Sequence, residues 1–146
     1  MILPNEELLS RASQAVAIGK TAIIPVKGQS MYPFIRGSED CVELSLPTDI
    51  KQGDIVLAEV SPGKYLLHRI YNFQGEDGII LMGDGNIHNK EYCLKTNVKA
   101  KALVVITKNG RKKRLDSLPM IVQAKIWKIC LPIRGFLLRI LWKLKK

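Results

Sequence analysis

Between residues 21 and 115 the chain is divided by turn residues into short runs rich in β-branched side chains, and this pattern constrains the fold most. Six runs have the composition of strands: TAIIPV, CVELSL, DIVLAEV, KYLLHRIYNF, GIILMG and VKAKALVVITK. Asn109-Gly110 is a two-residue hairpin signal that returns the chain into RKKRL. Six or seven strands over about 95 residues predict a mainly β domain, built as coiled antiparallel sheets or as a small barrel.

A helix is predicted before the first strand. Asn5 is suited to cap a helix over residues 6–19, with Glu6 and Glu7 in its first turn and Gly19 near its end. One side of this helix is apolar, as packing on a sheet requires: Leu8, Leu9, Ala12, Ala15 and Val16.

The composition changes after Leu118-Pro119, so we divide the chain into a domain over residues 1–118 and a C-terminal tail over residues 119–146. Residues 1–116 hold 16 Lys and Arg against 13 Asp and Glu, whereas residues 117–146 hold 7 basic residues and no acid. The net charge of +10 is therefore concentrated in the tail.

The tail has the pattern of a basic amphipathic helix, which Pro132 should kink or divide. Its apolar residues recur at helical spacing: Ile126, Ile129, Cys130, Ile133, Phe136, Leu137, Ile140, Leu141 and Leu144. Basic residues, Arg134 among them, are predicted on the opposite face, and Trp127 and Trp142 lie near the two ends. Residues 120–146 therefore predict either a helix in the interface of a membrane or an apolar face packed on its own domain or on a second copy.

Other classes are not favoured by the sequence. The uncharged runs are far shorter than the ~20 residues of a membrane-spanning helix, and no segment resembles a base-reading module, so we expect no nucleic-acid partner. The three cysteines have no C-x-x-C spacing, so we expect no disulfide framework, metal or cofactor. The N-terminal residues lack the apolar run of a signal peptide, so the expected location is the cytoplasm, peripheral at the inner membrane surface if the tail binds lipid.

Ser30 lies in the stretch VKGQSMYPFI, between a glycine that permits a sharp turn and a proline that fixes the backbone beyond it. That pattern is typical of a tight structural corner, and it equally suits a nucleophile held at the surface of a turn. A serine nucleophile needs a base, because its hydroxyl is almost entirely protonated at neutral pH. Gln29, Met31 and Tyr32 flank the serine and are the candidates for substrate binding.

The chain offers two histidines as the base. His68 lies within an apolar strand, where it can be held rigidly, whereas His88 lies in a polar loop. A carboxylate to orient the imidazole is available from Asp84, directly after a strand, or from Glu91 seven residues later. Asp84 in an Asp-Gly pair is also ordinary turn chemistry.

Four motifs in order, GQSMYP, QGDIVLAEV, LLHRI and LMGDGN, resemble the catalytic core of type I signal peptidases and of the related self-cleaving repressors of the SOS response. The resemblance covers roughly residues 22–106. It implies a signal-peptidase-like β fold, Ser30 as nucleophile and His68 as base, since LLHRI is similar to the archaeal and endoplasmic-reticulum branch that uses histidine.

Two departures from that family pattern concern the site. Lys90 stands where the histidine branch usually has a second aspartate, so the third catalytic member is either Asp84 or Glu91. Gly28 stands where signal peptidases commonly have a serine that helps bind the oxyanion, so backbone N–H groups, including that of Ser30, are expected to do so.

The sequence therefore predicts a serine endopeptidase that cleaves a precursor peptide or protein, bound as an extended strand at a sheet edge. The departures motivate an alternative, an inactive peptide-binding module with the peptidase fold. The tail motivates a second alternative, a membrane-surface adaptor. The sequence leaves the oligomeric state open.

Overall fold

The structure, a computed structural model, describes residues 5–145 and forms one sheet of eight strands with three helices. The strands are β1 (Ala22–Pro25), β2 (Cys41–Ser45), β3 (Ile55–Ser61), β4 (Lys64–Gln74), β5 (Gly78–Met82), β6 (Glu91–Leu94), β7 (Val98–Ile106) and β8 (Lys112–Arg114). The helices are α1 (Asn5–Ala17), α2 (Leu118–Ile129) and α3 (Arg134–Lys145), with short 3-10 turns at Lys95–Asn97 and Leu131–Ile133.

The predicted mainly β class is confirmed. All six predicted runs form strands, and the Asn109-Gly110 turn joins β7 to β8, with Gly110 at φ +85°. The sequence did not indicate β6, because this four-residue strand alternates half-buried and exposed positions and has only one strongly β-forming residue.

The strands pair antiparallel throughout, in the order β1-β2-β7-β3-β4-β5-β6, and β8 pairs with the end of β7. The sheet is open in the described part of the chain, since β1 and β6 lie at its two edges and do not pair with each other. The alternative of a closed small barrel is therefore wrong.

Strand β3 lies between two hydrophobic clusters and is buried on both faces. Ile55 and Leu57 belong to the cluster covered by α1, whereas Val56 and Ala58 belong to the cluster formed with β4 and β5. Alternate side chains of a strand point to opposite faces, so consecutive apolar residues in DIVLAEV fill both clusters.

Helix α1 covers the first cluster with the predicted face. Leu9, Ala12 and Val16 are buried, and Gly19 adopts φ +87° just after the helix, where its N–H bonds the Val16 carbonyl. The described helix already includes Asn5, the predicted cap.

Pro132 divides the C-terminal segment into α2 and α3, as predicted. Six of the nine apolar residues predicted on one face are exposed to solvent: Ile126, Ile129, Ile133, Phe136, Ile140 and Leu144. The alternative in which this face packs on its own domain is therefore wrong for most of it. Arg134, predicted on the polar face, is instead buried, because its guanidinium bonds two backbone carbonyls under the helices.

Among residues 5–145, neither α2 nor α3 nor any other helix has the length and apolar character needed to cross a bilayer.

Candidate active site

Ser30 lies in a compact turn over residues 28–35, here the Ser30 turn. Gly28 opens it at φ +76°, a conformation that favours glycine, and backbone bonds close it from Tyr32 N to Gln29 O (3.1 Å) and from Ile35 N to Met31 O (3.0 Å). Met31 is buried and anchors the turn in the core, which leaves Ser30 half-buried at its surface. The turn is thus a structural corner that also holds the Ser30 side chain at its surface.

A second loop, residues 83–87, lies directly against this turn and is here the Asp84 loop. The Gly85 N–H donates to the Ser30 carbonyl oxygen at 2.8 Å, which ties the two segments together. A Cβ on Gly83 would collide with the Ser30 carbonyl oxygen and lie 3.2 Å from His68 Nε2. Only glycine at position 83 therefore allows this approach between the loop, the serine backbone and the imidazole.

His68 is held in the sheet, in β4, opposite Val56 of β3. Its side chain is only 8% exposed, and it lines a small cleft of about 130 Å³ together with Ser30, Lys27 and Met31. The sheet thus brings the predicted nucleophile and the predicted base, 38 positions apart in the chain, to one cavity.

Burial lowers the pKa of His68 below its ordinary value of 6.5, because an imidazolium loses hydration there. The charges of Glu91 and, less strongly, Asp84 oppose this pKa shift. Nδ1 is buried without a hydrogen-bond partner. The imidazole is therefore neutral at pH 7 and able to accept a proton.

The Asp84 carboxylate is bound to Arg69, the residue after His68. Arg69 donates from Nε to Oδ1 at 2.8 Å and from its terminal nitrogen to Oδ2 at 2.7 Å, and it donates to the Gly53 carbonyl at 2.8 Å. The Asp84 side chain is only 3% exposed. Within the described residues, neither Asp84 nor Glu91 hydrogen-bonds His68, so both act on the imidazole through space.

The three residues predicted to bind substrate lie in different surroundings. Met31 lines the cleft, whereas the Gln29 amide donates to the Gly37 carbonyl at 3.4 Å. Tyr32 is buried: its hydroxyl donates to the Leu141 carbonyl at 3.1 Å, and its ring packs edge-on to Trp142. The hydroxyl and the ring of Tyr32 thus both contact α3.

Sequence reasoning missed the residues that support the Asp84 loop from behind. Trp127 of α2 donates from Nε1 to the Asp84 carbonyl at 2.8 Å, and its ring packs edge-on to Phe34 of the Ser30 turn. Arg134 donates to the carbonyls of Asn86 (3.1 Å) and Trp127 (3.0 Å). Trp127 lies in α2 and Arg134 begins α3, so the break at Pro132 removes the helical periodicity that could have linked the two residues in the sequence.

A larger cavity, of about 540 Å³, lies between α2 and the sheet. Arg69 and Asp84 line it, but Ser30 and His68 do not. We place the candidate active site at the smaller cleft, because Ser30 and His68 both line it.

No protein-family model matches the chain, and a comparison with curated proteins also finds no match. Function is therefore inferred from the chemistry of the cleft and from the sequence motifs.

Proposed function

We propose that the protein is a serine endopeptidase of the signal-peptidase type, which cleaves a precursor peptide or protein through an acyl-enzyme. The observation that carries this proposal is the cleft shared by Ser30 and a buried, neutral His68. The open antiparallel sheet is compatible with the fold that the sequence motifs imply.

In the proposed mechanism, His68 takes the proton of the Ser30 hydroxyl as the serine oxygen attacks the carbonyl carbon of the scissile peptide bond. The imidazolium then gives this proton to the leaving amine as the C–N bond breaks. Water, deprotonated by the same imidazole, hydrolyses the ester and restores Ser30. General-base action of this kind contributes about 10²–10⁴-fold to the rate.

A backbone N–H group and two carboxylates assist the reaction in this proposal. The backbone N–H of Ser30 binds the oxyanion, because Gly28 supplies no hydroxyl for this role. Asp84 and Glu91 stabilise the imidazolium by charge, since both favour the protonated form of His68. Arg69 holds Asp84 in place through its two hydrogen bonds.

The substrate would bind beside β1, an edge strand of the sheet that leads into the cleft. Ile24, Pro25 and Val26 line the cleft at the end of this strand. An extended peptide paired with β1 gains backbone hydrogen bonds and brings its carbonyl toward Ser30.

One observation favours the alternative of a peptide-binding module without turnover. His68 Nδ1 has no hydrogen-bond partner, and Asp84, which occupies the motif position for a third catalytic member, is bonded to Arg69. Without a partner at Nδ1, the imidazole tautomer that accepts a proton at Nε2 is less firmly fixed.

Intact-mass spectrometry after treatment with a serine-reactive phosphonate tests the proposed peptidase. We expect one adduct on the wild type and none on Ser30→Ala or His68→Gln. Matched controls are Ser61→Ala and His88→Ala, since both side chains are exposed and neither lines the cleft. We expect both controls to label as the wild type does.

Absence of an adduct on folded wild-type protein would reject the peptidase and favour the peptide-binding module. Labelling that survives Ser30→Ala would show that the reactive group lies elsewhere.

A further inference from the structure

The exposed sides of α2 and α3 each carry a row of apolar side chains, which together are named here the outer face; its members Ile121 and Ile129 also line the cavity between α2 and the sheet. Its exposed apolar members are Ile121, Val122, Ile126, Ile129, Ile133, Phe136, Ile140 and Leu144. From Val122 onward they recur three or four positions apart, which is the spacing of one helical face, and Ile121 adjoins Val122. Ile129 and Leu144 are 78% and 77% exposed, so most of their apolar surface is left in water by the fold.

The opposite side of the same helices fixes their orientation. Trp127 and Arg134 bond the Asp84 loop, Lys128 donates to the Tyr71 carbonyl at 2.8 Å, and the Leu141 carbonyl accepts from Tyr32. Because these contacts hold the helices against the body, the outer face is presented as a fixed surface rather than as part of a loose tail.

Exposed cations accompany the apolar residues. Lys125, Arg139 and Lys143 are exposed along the two helices, and residues 117–146 contain no acidic residue. A second copy of the chain would bring an identical set of positive charges to this surface and be repelled. The outer face is apolar and positively charged. It therefore matches a partner that has negative charges at its surface and an apolar layer beneath them.

We propose that the outer face binds the surface of an anionic lipid bilayer, with both helices lying in its interface. The apolar side chains enter the boundary between headgroups and acyl chains, and the cations contact lipid phosphates. Trp127 takes no part in the interface, since it is buried against the Asp84 loop. Membrane binding in this proposal is independent of the proposed peptidase activity.

Co-sedimentation with lipid vesicles tests the proposal on the full chain carrying Ser30→Ala, which separates binding from catalysis. Vesicles of phosphatidylcholine alone are compared with vesicles that also contain phosphatidylglycerol. We expect binding to the anionic vesicles, weaker binding at high salt and little binding to the neutral vesicles. Neutralising Lys125 and Lys143 with glutamine should weaken binding about fivefold for each lysine.

The double variant Ile129→Glu/Phe136→Glu should weaken binding at least about tenfold, since it removes two apolar side chains from the interface. Matched controls are Ile18→Glu, at an isoleucine that is 72% exposed outside the tail, and Lys112→Gln on β8. Both controls should bind as the parent does. Circular dichroism confirms that each variant is folded.

Three outcomes would overturn the proposal: no sedimentation with anionic vesicles, equal binding to neutral vesicles, or binding that both outer-face variants leave unchanged. A concentration-dependent dimer that Ile129→Glu/Phe136→Glu disrupts, without lipid binding, would assign the outer face to a second copy. Since phosphonate labelling is measured without lipid, failure of this proposal and failure of the peptidase proposal are distinguishable.

Discussion

The two sides of the Asp84 loop are packed in different ways. Toward the cleft, Gly83 and Gly85 bring backbone against backbone, and Nδ1 of His68 is left without a hydrogen-bond partner. Toward α2 and α3, long side chains fill the space: Trp127 and Arg134 bond three loop and helix carbonyls, at Asp84, Asn86 and Trp127.

We call the side of the Asp84 loop that faces the cleft the cleft side, and the side that packs against α2 and α3 the supporting side. A group that must accept a proton needs a free lone pair, and the buried, neutral imidazole of His68 provides one. The Asp84 loop can lie so close to the cleft because α2 and α3 hold it from the opposite side. Four substitutions or conditions, ordered from the largest expected effect, test whether the two sides differ in this way.

Gly83→Ala should damage the cleft side most. The added Cβ collides with the Ser30 carbonyl and crowds Asn86 Nδ2 at 3.1 Å and His68 Nε2 at 3.2 Å. Since backbone cannot yield easily, we expect a loss of about 1–3 kcal/mol in the free energy of unfolding. Phosphonate labelling should fall by at least about tenfold, because displacing catalytic groups by an ångström is costly in rate.

The matched control is Gly135→Ala in α3, where the Cβ meets only the tip of the Ile87 side chain at 3.0 Å. A helical alanine offsets this contact, so we expect no loss of stability. Equal damage from both alanines, measured by denaturant unfolding, would contradict a special constraint at the cleft.

Arg134→Ala should damage the supporting side. Arg134 is only 3% exposed, and its removal takes a hydrogen-bond donor away from the carbonyls of Asn86 and Trp127. We expect a loss of about 1–3 kcal/mol in the free energy of unfolding by urea. Arg139→Ala, at an exposed arginine of the same helix, should change stability by less than ~0.5 kcal/mol. Similar values for the two variants would mean that Arg134 does not support the loop.

Trp127→Phe should have a smaller effect on the same side. It keeps an aromatic ring near Phe34 and Arg134 but removes the hydrogen bond to the Asp84 carbonyl. We expect a loss of about 1–2 kcal/mol, which lowers the melting temperature by about 2–6 °C. Tyr92→Phe, at a tyrosine that is 61% exposed on β6, is the control and should melt as the wild type does. An unchanged melting temperature in Trp127→Phe would show that this bond does not stabilise the loop.

A lower pH should affect the cleft side, because it protonates the imidazole of His68. The pKa of His68 lies below its ordinary value of 6.5 in the folded chain and near that value in the unfolded chain. Between these two pKa values, the unfolded chain therefore binds more protons than the folded chain. The contribution of His68 to stability is therefore intact above about pH 6.5 and falls as the pH decreases toward the folded pKa. The phosphonate labelling rate should decrease with a midpoint below pH 6.5, as the imidazole becomes protonated.

His88→Ala should leave this pH profile unchanged, since His88 lies in an exposed loop. A labelling midpoint above pH 6.5 would mean that burial does not control the titration of His68.

Most of the sheet was predictable because strand formation depends on local pattern. The runs of β-branched residues, the Asn109-Gly110 turn and the apolar stripe of α1 are each contained in a few consecutive residues. β6 was missed because its short half-buried pattern carries little such signal. The closed barrel was wrong because whether the two edges of a sheet meet depends on its global twist and register rather than on any single strand.

The residues of the candidate site could be predicted from the sequence, but their arrangement could not. Ser30 and His68 were chosen from a turn pattern, a strand position and a resemblance, and their common cleft depends on how β4 and the Ser30 turn pack. The bond of Asp84 to Arg69, and the burial of Trp127 and Arg134, depend on contacts between distant segments, which periodicity does not report.

By itself, the sequence determined the β-rich class, the helix at each end, the break at Pro132 and the concentration of positive charge in the tail, because each follows from composition or spacing over a few residues. Only the tertiary structure decided which side of the C-terminal helices is buried, what the Asp84 carboxylate binds and where His68 lies relative to Ser30. These depend on competition among all segments for the same buried space, which is settled by packing of the whole chain.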